Sequence, residues 1–404
     1  MKGHIRTMLD GQKKHLSFHT PGHKKKGADI TELSYSDNLS APHGVLARAE
    51  IDVGKILGAN RSFLLTDGST CGVHAMLYAL KKSGATSVAY ADVSHVSVKN
   101  GCILSGLESV VLSTKTKDGI PQPPTLDEME KGLKRADALL LTSPDYYGNF
   151  PDLEGARAIC QREGKPLLVD GAHGSHLHGT KLHAGEYASI WVDGVHKSLP
   201  ALTQGAVVSA KTEKWSLLLE ESVLLFRTTS PSYPIMASVE EAVKYPKNER
   251  LEEAAKRLKQ RLCAYPNKDW TKIVVPFGDF SDVAQNYLEQ KGIYCEFNDG
   301  NYLMFYLSPC TKMRWLKRLE KELSRLPRTT VQDGAHANGE KSGRTQWIPL
   351  ADAVGKTCAK DAGRFPPCLP LVKEGEKITK DSVKALQTAG HTFGLKEGKI
   401  SVYE

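Results

Sequence analysis

Two apolar segments that each lead to a charged side chain constrain the fold of this chain more than any other feature. The first, residues 166–169, ends on Asp170, and the second, residues 189–192, is followed by His196 and Lys197. Short apolar runs are typical of buried strands. The carboxyl ends of neighbouring parallel strands open into the crevice where α/β proteins bind ligands. We therefore predict that Asp170 and Lys197 face one cavity at the edge of a sheet.

A lysine and a carboxylate placed in this way suit one cofactor, pyridoxal phosphate. A lysine in a partly dry pocket loses its proton readily and forms a Schiff base with an aldehyde. The acid pairs with the nitrogen on the opposite side of the pyridine ring. Lys197 and Asp170 are therefore predicted to bind the aldehyde carbon and the ring nitrogen of this cofactor.

From residue 60 onward, predicted strands alternate with predicted helices, which indicates an α/β fold with a mostly parallel sheet. In this part of the chain we predict strands at 62–65, 87–91, 109–112 and 137–141, and helices at 73–82, 126–136, 153–163, 215–226 and from about 235 onward. The pattern then changes to a compact α+β unit, with strands at 272–275, 294–297 and 302–307 and helices at 282–290 and 312–326.

These patterns divide the chain into five parts. Residues 329–345 are polar and contain glycine, which is typical of a linker. The predicted parts are an amino-terminal arm at 1–60, a large cofactor-binding domain at 61–250, a small α+β domain at 251–328, the linker at 329–345 and a carboxy-terminal region at 346–404.

A turn rich in glycine and hydroxyl groups at residues 66–72 separates a predicted strand from a predicted helix. Free backbone N–H groups at a helix start and nearby hydroxyls can bind a phosphate, although a simple capped helix start has the same pattern. His95 follows another predicted strand, where its flat ring could stack on a cofactor ring or lie on the surface.

Composition narrows the class of protein. The 404 residues carry a formal charge of +8, but acidic residues lie between the basic ones and no basic stripe with aromatics occurs, so nucleic-acid binding is not expected. No apolar run of about 18 residues and no secretory h-region occur, so we expect no membrane span. The eight cysteines are scattered without a Cys-x-x-Cys pair, as expected for reduced thiols of a cytoplasmic protein.

Several blocks, in order along nearly the whole chain, resemble the Orn/Lys/Arg decarboxylase family in its short bacterial form. These are fold type I pyridoxal-phosphate enzymes, which have an aspartate aminotransferase-like large domain and a small α+β carboxy-terminal domain. The matching blocks include Asp-Gly-Ala-His-Gly at 170–174 and His-Lys-Ser-Leu-Pro-Ala-Leu-Thr-Gln at 196–204, with others at 19–24, 29–33, 67–70, 143–148 and 229–238.

The resemblance implies a role for each matching residue. Lys197 would form the Schiff base, Asp170 would keep the ring nitrogen protonated, and His173 would lie near the ring hydroxyl and the substrate carboxylate. Lys197 or His173 would then protonate Cα, and the sequence does not choose between them. The implied cofactor-binding set is Ser69 and Thr70 at the phosphate, His95 stacked over one ring face, Ala172 under the other, Asp170, His196 at the phosphate, and Lys197.

The implied activity is decarboxylation of lysine, arginine or ornithine to cadaverine, agmatine or putrescine, with release of CO2. The resemblance also implies a homodimer or higher oligomer that shares its active sites. Thr229, Ser230 and the loop at 19–23 are candidates for reaching the neighbouring subunit's site.

Three departures from the family pattern leave alternatives open. Gly194 stands where relatives usually have a serine that contacts phosphate, Gly171 replaces the usual glutamate, and Cys368 replaces the glycine of the usual Pro-Pro-Gly. One alternative is another reaction on the same cofactor, by a lyase or an aminotransferase, for which Arg364 is a weak candidate to bind the substrate carboxylate. The other is a catalytically impaired protein that binds the cofactor.

Overall fold

A computed structural model of the chain describes residues 2–11, 16–25, 29–327, 345–364, 369–389 and 391–403. Apart from Thr345, the predicted linker at 329–345 lies outside these ranges, and so does Cys368. The five predicted divisions of the chain remain a prediction.

The strands are β1 (Arg61–Leu65), β2 (Ser87–Ala91), β3 (Glu108–Leu112), β4 (Thr116–Lys117), β5 (Ile120–Pro121), β6 (Leu139–Thr142), β7 (Leu167–Gly171), β8 (Ile190–Asp193), β9 (Ala206–Ala210), β10 (Lys272–Pro276), β11 (Phe297–Asn298), β12 (Tyr302–Tyr306), β13 (Thr345–Pro349), β14 (Ala362–Arg364), β15 (Leu369–Val372), β16 (Thr392–Phe393), β17 (Leu395–Lys396) and β18 (Lys399–Tyr403).

The helices are α1 (His4–Gly11), α2 (Val45–Leu57), α3 (Gly68–Lys82), α4 (Val96–Ser105), α5 (Leu126–Leu133), α6 (Leu153–Arg162), α7 (Val195–Ser198), α8 (Glu213–Phe226), α9 (Tyr233–Ala242), α10 (Glu249–Arg261), α11 (Ser281–Gln290), α12 (Met313–Leu323) and α13 (Lys380–Thr388).

The large sheet has seven strands in the order β1-β9-β8-β7-β6-β2-β3. Strands β2, β3, β6, β7 and β8 run parallel, whereas β9 pairs antiparallel with both β8 and β1. Helices connect β2 to β3, β3 to β6 and β6 to β7, whereas a loop with two short 3-10 turns connects β7 to β8. The predicted α/β fold with a mostly parallel sheet is confirmed.

Two hydrophobic cores cover the two faces of this sheet. Successive residues of a strand point to opposite faces, so Leu139 and Leu141 pack in one core while Leu140 packs in the other. Helices α2, α5, α6 and α9 cover the first face, and α3, α4 and α8 cover the second. Because both faces are buried, the central strands are apolar along their length, and polar chemistry is confined to their ends.

A smaller antiparallel sheet, in the order β10-β12-β11, packs against α10, α11 and α12 around a separate core. Beyond residue 345, two further three-stranded sheets and α13 enclose another core that includes Cys358, Ile378 and Val402.

Three details differ from the sequence-based expectation. The helix predicted from about residue 235 is two helices, α9 and α10, because Pro246 lies between them and Asn248 begins the second by accepting a hydrogen bond from the Leu251 N–H (3.1 Å). The predicted amino-terminal arm, to which no helix was assigned above, contains α2. The strand predicted at 294–297 is the two-residue β11.

In the described ranges, no helix has the length and apolar character to cross a bilayer.

Candidate active site

A cavity opens at the carboxyl ends of the parallel strands, where the sequence places it. The space inside it is about 850 Å3, a volume that includes the solvent at its mouth. Six of the predicted site residues line it together: Ser69, His95, Asp170, Ala172, His173 and Lys197. Thr70 and His196 do not lie in this lining.

Asp170 and Lys197 reach the cavity from neighbouring strands. Asp170 is buried near the end of β7, and its Oδ1 accepts a hydrogen bond from the Ala172 N–H (3.1 Å). Strand β8 ends at Asp193, and the short helix α7 then presents Lys197, whose N–H donates to the Gly194 carbonyl (2.9 Å). The lysine and the acid therefore meet in one cavity, as predicted.

Both glycines that depart from the family pattern lie where β7 and β8 approach each other closely. A Cβ atom on Gly194 would lie 2.4 Å from the carbonyl oxygen of Ala172, and one on Gly171 would lie 2.8 Å from that of Val192. Real Cβ atoms do not approach backbone that closely. A serine at position 194 therefore requires the backbone of this chain to move, and glycine is the residue that fits.

His95 lies at the start of α4, where its side chain caps the helix. Its Nδ1 accepts from the Ser97 N–H (3.2 Å) and lies 2.8 Å from the Ser97 hydroxyl. Burial and the Lys197 ammonium lower the pKa of His95, while Asp170 acts to raise it. The ring is thus fixed at the cavity wall near the groups predicted to bind the cofactor.

His173 contacts both the predicted catalytic lysine and the small sheet. Its Nε2 lies 3.2 Å from the Lys197 Nζ, and its Nδ1 lies 3.1 Å from the Tyr306 hydroxyl at the end of β12. Burial, together with the charges of Lys197 and Lys272, lowers the pKa of His173 well below its ordinary value. The ring is therefore neutral at physiological pH.

Of the three residues predicted to bind the cofactor phosphate, only one lines the cavity. Helix α3 begins at Gly68, and Ser69 lines the cavity, whereas Thr70 is exposed to solvent. The His196 Nδ1 lies 3.0 Å from the carbonyl oxygen of Gly205. The phosphate contacts of Thr70 and His196 remain predictions.

The polar atoms of the cavity fit pyridoxal phosphate. The hydroxyls of Ser94 and Thr142 line the cavity, are buried, and have no hydrogen-bond partner among the described residues. Buried hydroxyls without partners are costly, so their position points to a polar ligand. In their predicted roles, Lys197 would bind the aldehyde and the Asp170 carboxylate would face the ring nitrogen, which are the two contacts that this cofactor requires.

Sequence reasoning did not assign a role to Asp145, which also lines the cavity. Its carboxylate accepts hydrogen bonds from the Asn149 N–H (2.8 Å) and from the Asn149 side-chain amide (2.9 Å). Burial raises the pKa of Asp145 to about 6 despite these bonds. The only available signal was its place in the block at 143–148, beside the tyrosines that also line the cavity.

The small sheet holds the loop that carries these tyrosines. The hydroxyls of Tyr146 and Tyr147 donate to Glu296 (3.0 Å) and Asp299 (2.8 Å). Nearby, the His176 Nε2 lies 3.0 Å from a carboxylate oxygen of Asp269. With the bond between His173 and Tyr306, these contacts form a seam between the large and small sheets, which we call the domain seam.

Arg364, the candidate for an aminotransferase-like carboxylate site, lies elsewhere. It is buried on β14 and donates to the carbonyl oxygens of Asn298 (2.8 Å) and Ala385 (3.3 Å) and to the Thr388 hydroxyl (3.1 Å). It does not line the cavity, and its donors tie the carboxy-terminal region to the small sheet.

Comparisons with known proteins agree with the geometry. The family model for the major domain of Orn/Lys/Arg decarboxylases matches residues 22–268. An uncharacterized Bacillus subtilis protein, YaaO, is 28% identical, with 96% of this chain and 95% of that protein covered. The arginine decarboxylase of the same organism is 25% identical, covering 95% and 93%.

A solved structure shares the fold. The structure of Escherichia coli constitutive lysine decarboxylase superposes with a TM-score of 0.73 at 18% identity, covering 99% of this chain and 82% of that chain. Because the family model covers more than half of the sequence, the comparisons and the cavity lead to one conclusion: the chain belongs to the Orn/Lys/Arg decarboxylase family of pyridoxal-phosphate enzymes.

Proposed function

We propose that this protein decarboxylates a basic amino acid, lysine, arginine or ornithine, and releases the corresponding amine and CO2. The observation that carries the proposal is the meeting of Lys197, Asp170, His95 and His173 in one cavity. When bound, pyridoxal phosphate supplies an electron sink for the bond to the substrate carboxylate.

Each cavity residue of this chain has a proposed role in binding the cofactor or moving a proton. Lys197 would hold the cofactor aldehyde, Asp170 would pair with the ring nitrogen, and His95 and Ala172 would enclose the ring from its two faces. His173, neutral and 3.2 Å from the Lys197 Nζ, is placed to accept or return a proton at that atom. Either group can serve as the acid that protonates Cα.

Asp145 supports a cationic substrate. It and Asp170 are the carboxylates in the cavity lining, and Asp170 is assigned to the ring nitrogen. A buried carboxylate with a raised pKa gains its charged form when a cation binds beside it. We propose that Asp145 contributes to binding the distal ammonium or guanidinium group of the substrate.

The proposal also covers the cellular location and the oligomeric state of the enzyme. We propose a cytoplasmic homodimer or larger oligomer that contributes to polyamine formation, on the family resemblance described above. Thr229, Ser230 and the loop at 19–23 remain the candidates for reaching the partner's site.

The test is a substrate panel scored by product. Purified protein with added pyridoxal phosphate is incubated with lysine, arginine, ornithine and neutral amino acids, and CO2 and amines are measured. We expect CO2 and one amine in equal amounts from a basic substrate, and neither product from Lys197→Ala. Lys165→Ala is the matched control, because Lys165 lies at the opposite end of β7 and donates to the Leu133 carbonyl.

Other products would contradict the proposal. A keto acid without CO2 would establish an aminotransferase instead. Binding of the cofactor without turnover of any amino acid would indicate the impaired binding protein. Activity that survives Lys197→Ala would remove the central lysine from the chemistry.

A further inference from the structure

A partly buried chain of polar groups extends from the cavity into the small sheet. It begins at the Lys197 Nζ, passes through both nitrogens of His173, and reaches the Tyr306 hydroxyl. The Lys272 Nζ lies 4.8 Å from the centre of the Tyr306 ring. Lys272 in turn donates a hydrogen bond to Asp269, which also contacts His176.

The strand register explains how Lys272 meets Tyr306. The two residues are directly opposite each other in the antiparallel pair of β10 and β12, and side chains opposite each other point to the same face of a sheet. Both Lys272 and its partner Asp269 are fully enclosed. A buried ion pair of this kind is costly to assemble, so its position over the ring of one particular tyrosine needs an explanation.

The hydrogen bonds of His173 explain why the ion pair lies at Tyr306. A lysine ammonium only donates, so the Nε2 that faces it must be unprotonated. The single ring proton of the neutral imidazole is then on Nδ1, where the Tyr306 hydroxyl oxygen accepts it. Burial and the Asp269 charge raise the pKa of Tyr306 well above its ordinary value, so the phenol stays neutral and does not take that proton away.

We propose that Tyr306 is a positioning residue that fixes the ring orientation and tautomer of His173, and that the Lys272–Asp269 pair holds Tyr306 in place. The assignment deepens the proposed function and rests on it. Its effect is to keep the Nε2 of His173, and not its Nδ1, facing the Lys197 Nζ. The charged or titratable groups around His173 are Lys197, His95, Lys272, Asp269 and Tyr306, with the Tyr146 ring edge at 5.0 Å between centroids.

Tyr306→Phe tests this arrangement, because it removes one hydroxyl and leaves the ring beneath Lys272. Tyr302→Phe is the matched control: it lies on the same strand, is buried, and loses a hydroxyl that donates to the Asp118 carbonyl (2.7 Å) outside the cavity. The first measurement is side-chain NMR of the full chain labelled with 15N-histidine, with and without pyridoxal phosphate, and with His173→Gln used to assign the signals.

In the cofactor-free wild type and in Tyr302→Phe, we expect the His173 Nδ1 to be protonated and its Nε2 unprotonated. In Tyr306→Phe both nitrogens should give the averaged signals of exchanging tautomers. In the decarboxylation assay, kcat of Tyr306→Phe should fall by about tenfold, part of what proton transfer by a side chain contributes. KM should change by less than about twofold, because an oriented proton carrier acts on the chemical step.

The proposal is overturned if Tyr306→Phe keeps a single His173 tautomer, or if Tyr302→Phe loses kcat to the same extent. A common thermal midpoint for the three proteins excludes misfolding as the cause. If the wild type decarboxylates no substrate, the proposed function fails, while the NMR comparison still decides whether Tyr306 fixes the tautomer.

Discussion

The two sides of His173 differ in how they are built. On the side of the large sheet, the groups at the cavity follow strand ends: Asp170 ends an apolar run, and Lys197 follows another. On the side of the small sheet, Tyr306 and Lys272 are brought together by pairing between β10 and β12, and neither lies in the cavity lining.

This difference separates two kinds of functional residue. The first kind is placed by local sequence, since an apolar strand followed by a polar residue puts that residue at the sheet edge. The second kind depends on antiparallel register and on where one domain lies against another. We expect substitutions on the first side to act on substrate and cofactor, and substitutions on the second to act on stability and on His173.

The largest effect on stability is expected for Lys272→Met, which removes the ammonium but keeps most of the side chain's length. It leaves Asp269 buried without its lysine partner, and breaking such a pair costs about 3–5 kcal/mol. Chemical denaturation should show this loss in the free energy of unfolding. Lys268→Met, which lies in the loop before β10 and is exposed, should change the free energy of unfolding by less than about 0.5 kcal/mol.

A stability loss below about 1 kcal/mol in Lys272→Met would contradict the proposed difference between the two sides of His173. Although burial acts to raise the pKa of Asp269, the charges of Lys272 and His176 lower it well below its ordinary value. A small loss would mean that the contact with His176 is enough to hold Asp269, and that the Lys272–Asp269 pair does not hold the small-sheet side together.

Gly194→Ser tests the packing of the large-sheet side. The added Cβ would meet the Ala172 carbonyl oxygen at 2.4 Å, and overpacking of this kind costs about 1–3 kcal/mol. We expect a lower free energy of unfolding and weaker binding of pyridoxal phosphate, measured by denaturation and by titration. Gly11→Ser is the control, because a Cβ there meets nothing within 4 Å.

If Gly194→Ser binds the cofactor more tightly, the main consequence of glycine at position 194 is that the wild type lacks a hydroxyl that contacts the phosphate. That outcome would mean that the strand ends move apart readily.

The smallest effect is expected for Asp145→Asn, which removes a charge from the cavity and keeps the shape of the side chain. KM for the basic substrate should rise about fivefold, or about 1 kcal/mol. With a pKa of about 6, Asp145 is charged above that pH and neutral below it. Wild-type KM should therefore fall as pH rises through 6, and Asp145→Asn should lose this dependence.

A neutral amino acid of similar length, used as a competitive inhibitor, provides the control for Asp145→Asn. Its inhibition constant should be the same for both proteins and independent of pH near 6. An equal change for the neutral compound would show that Asp145 shapes the loop through Asn149 and does not contact the substrate charge.

The sequence predicted most of the large-sheet side because the signals there are local. The strand that carries Asp170 and the strand that precedes Lys197 were predicted within a few residues, and six of the eight predicted site residues line one cavity. Thr70 and His196 lie outside that lining. Their phosphate contacts depend on the geometry of the turn before α3, which motif matching does not describe.

The small-sheet side could not be predicted in the same way. Nothing near Tyr306 in the sequence distinguishes it from Tyr302, since both lie on one apolar strand, and only the register with Lys272 and the position of His173 separate them. Gly194 is a similar case. Its close contact with Ala172 depends on how two strand ends converge, and a sequence shows only that a serine is missing.

The domain seam has a consequence for motion. Among the hydrogen bonds that define it, one ends on the imidazole that lies against Lys197. A rotation of the small sheet away from the large one would separate the Tyr306 hydroxyl from His173. If Tyr306 positions His173 as we propose, the same rotation would release the ring that faces Lys197, and we expect a conformer with the two sheets apart to be inactive.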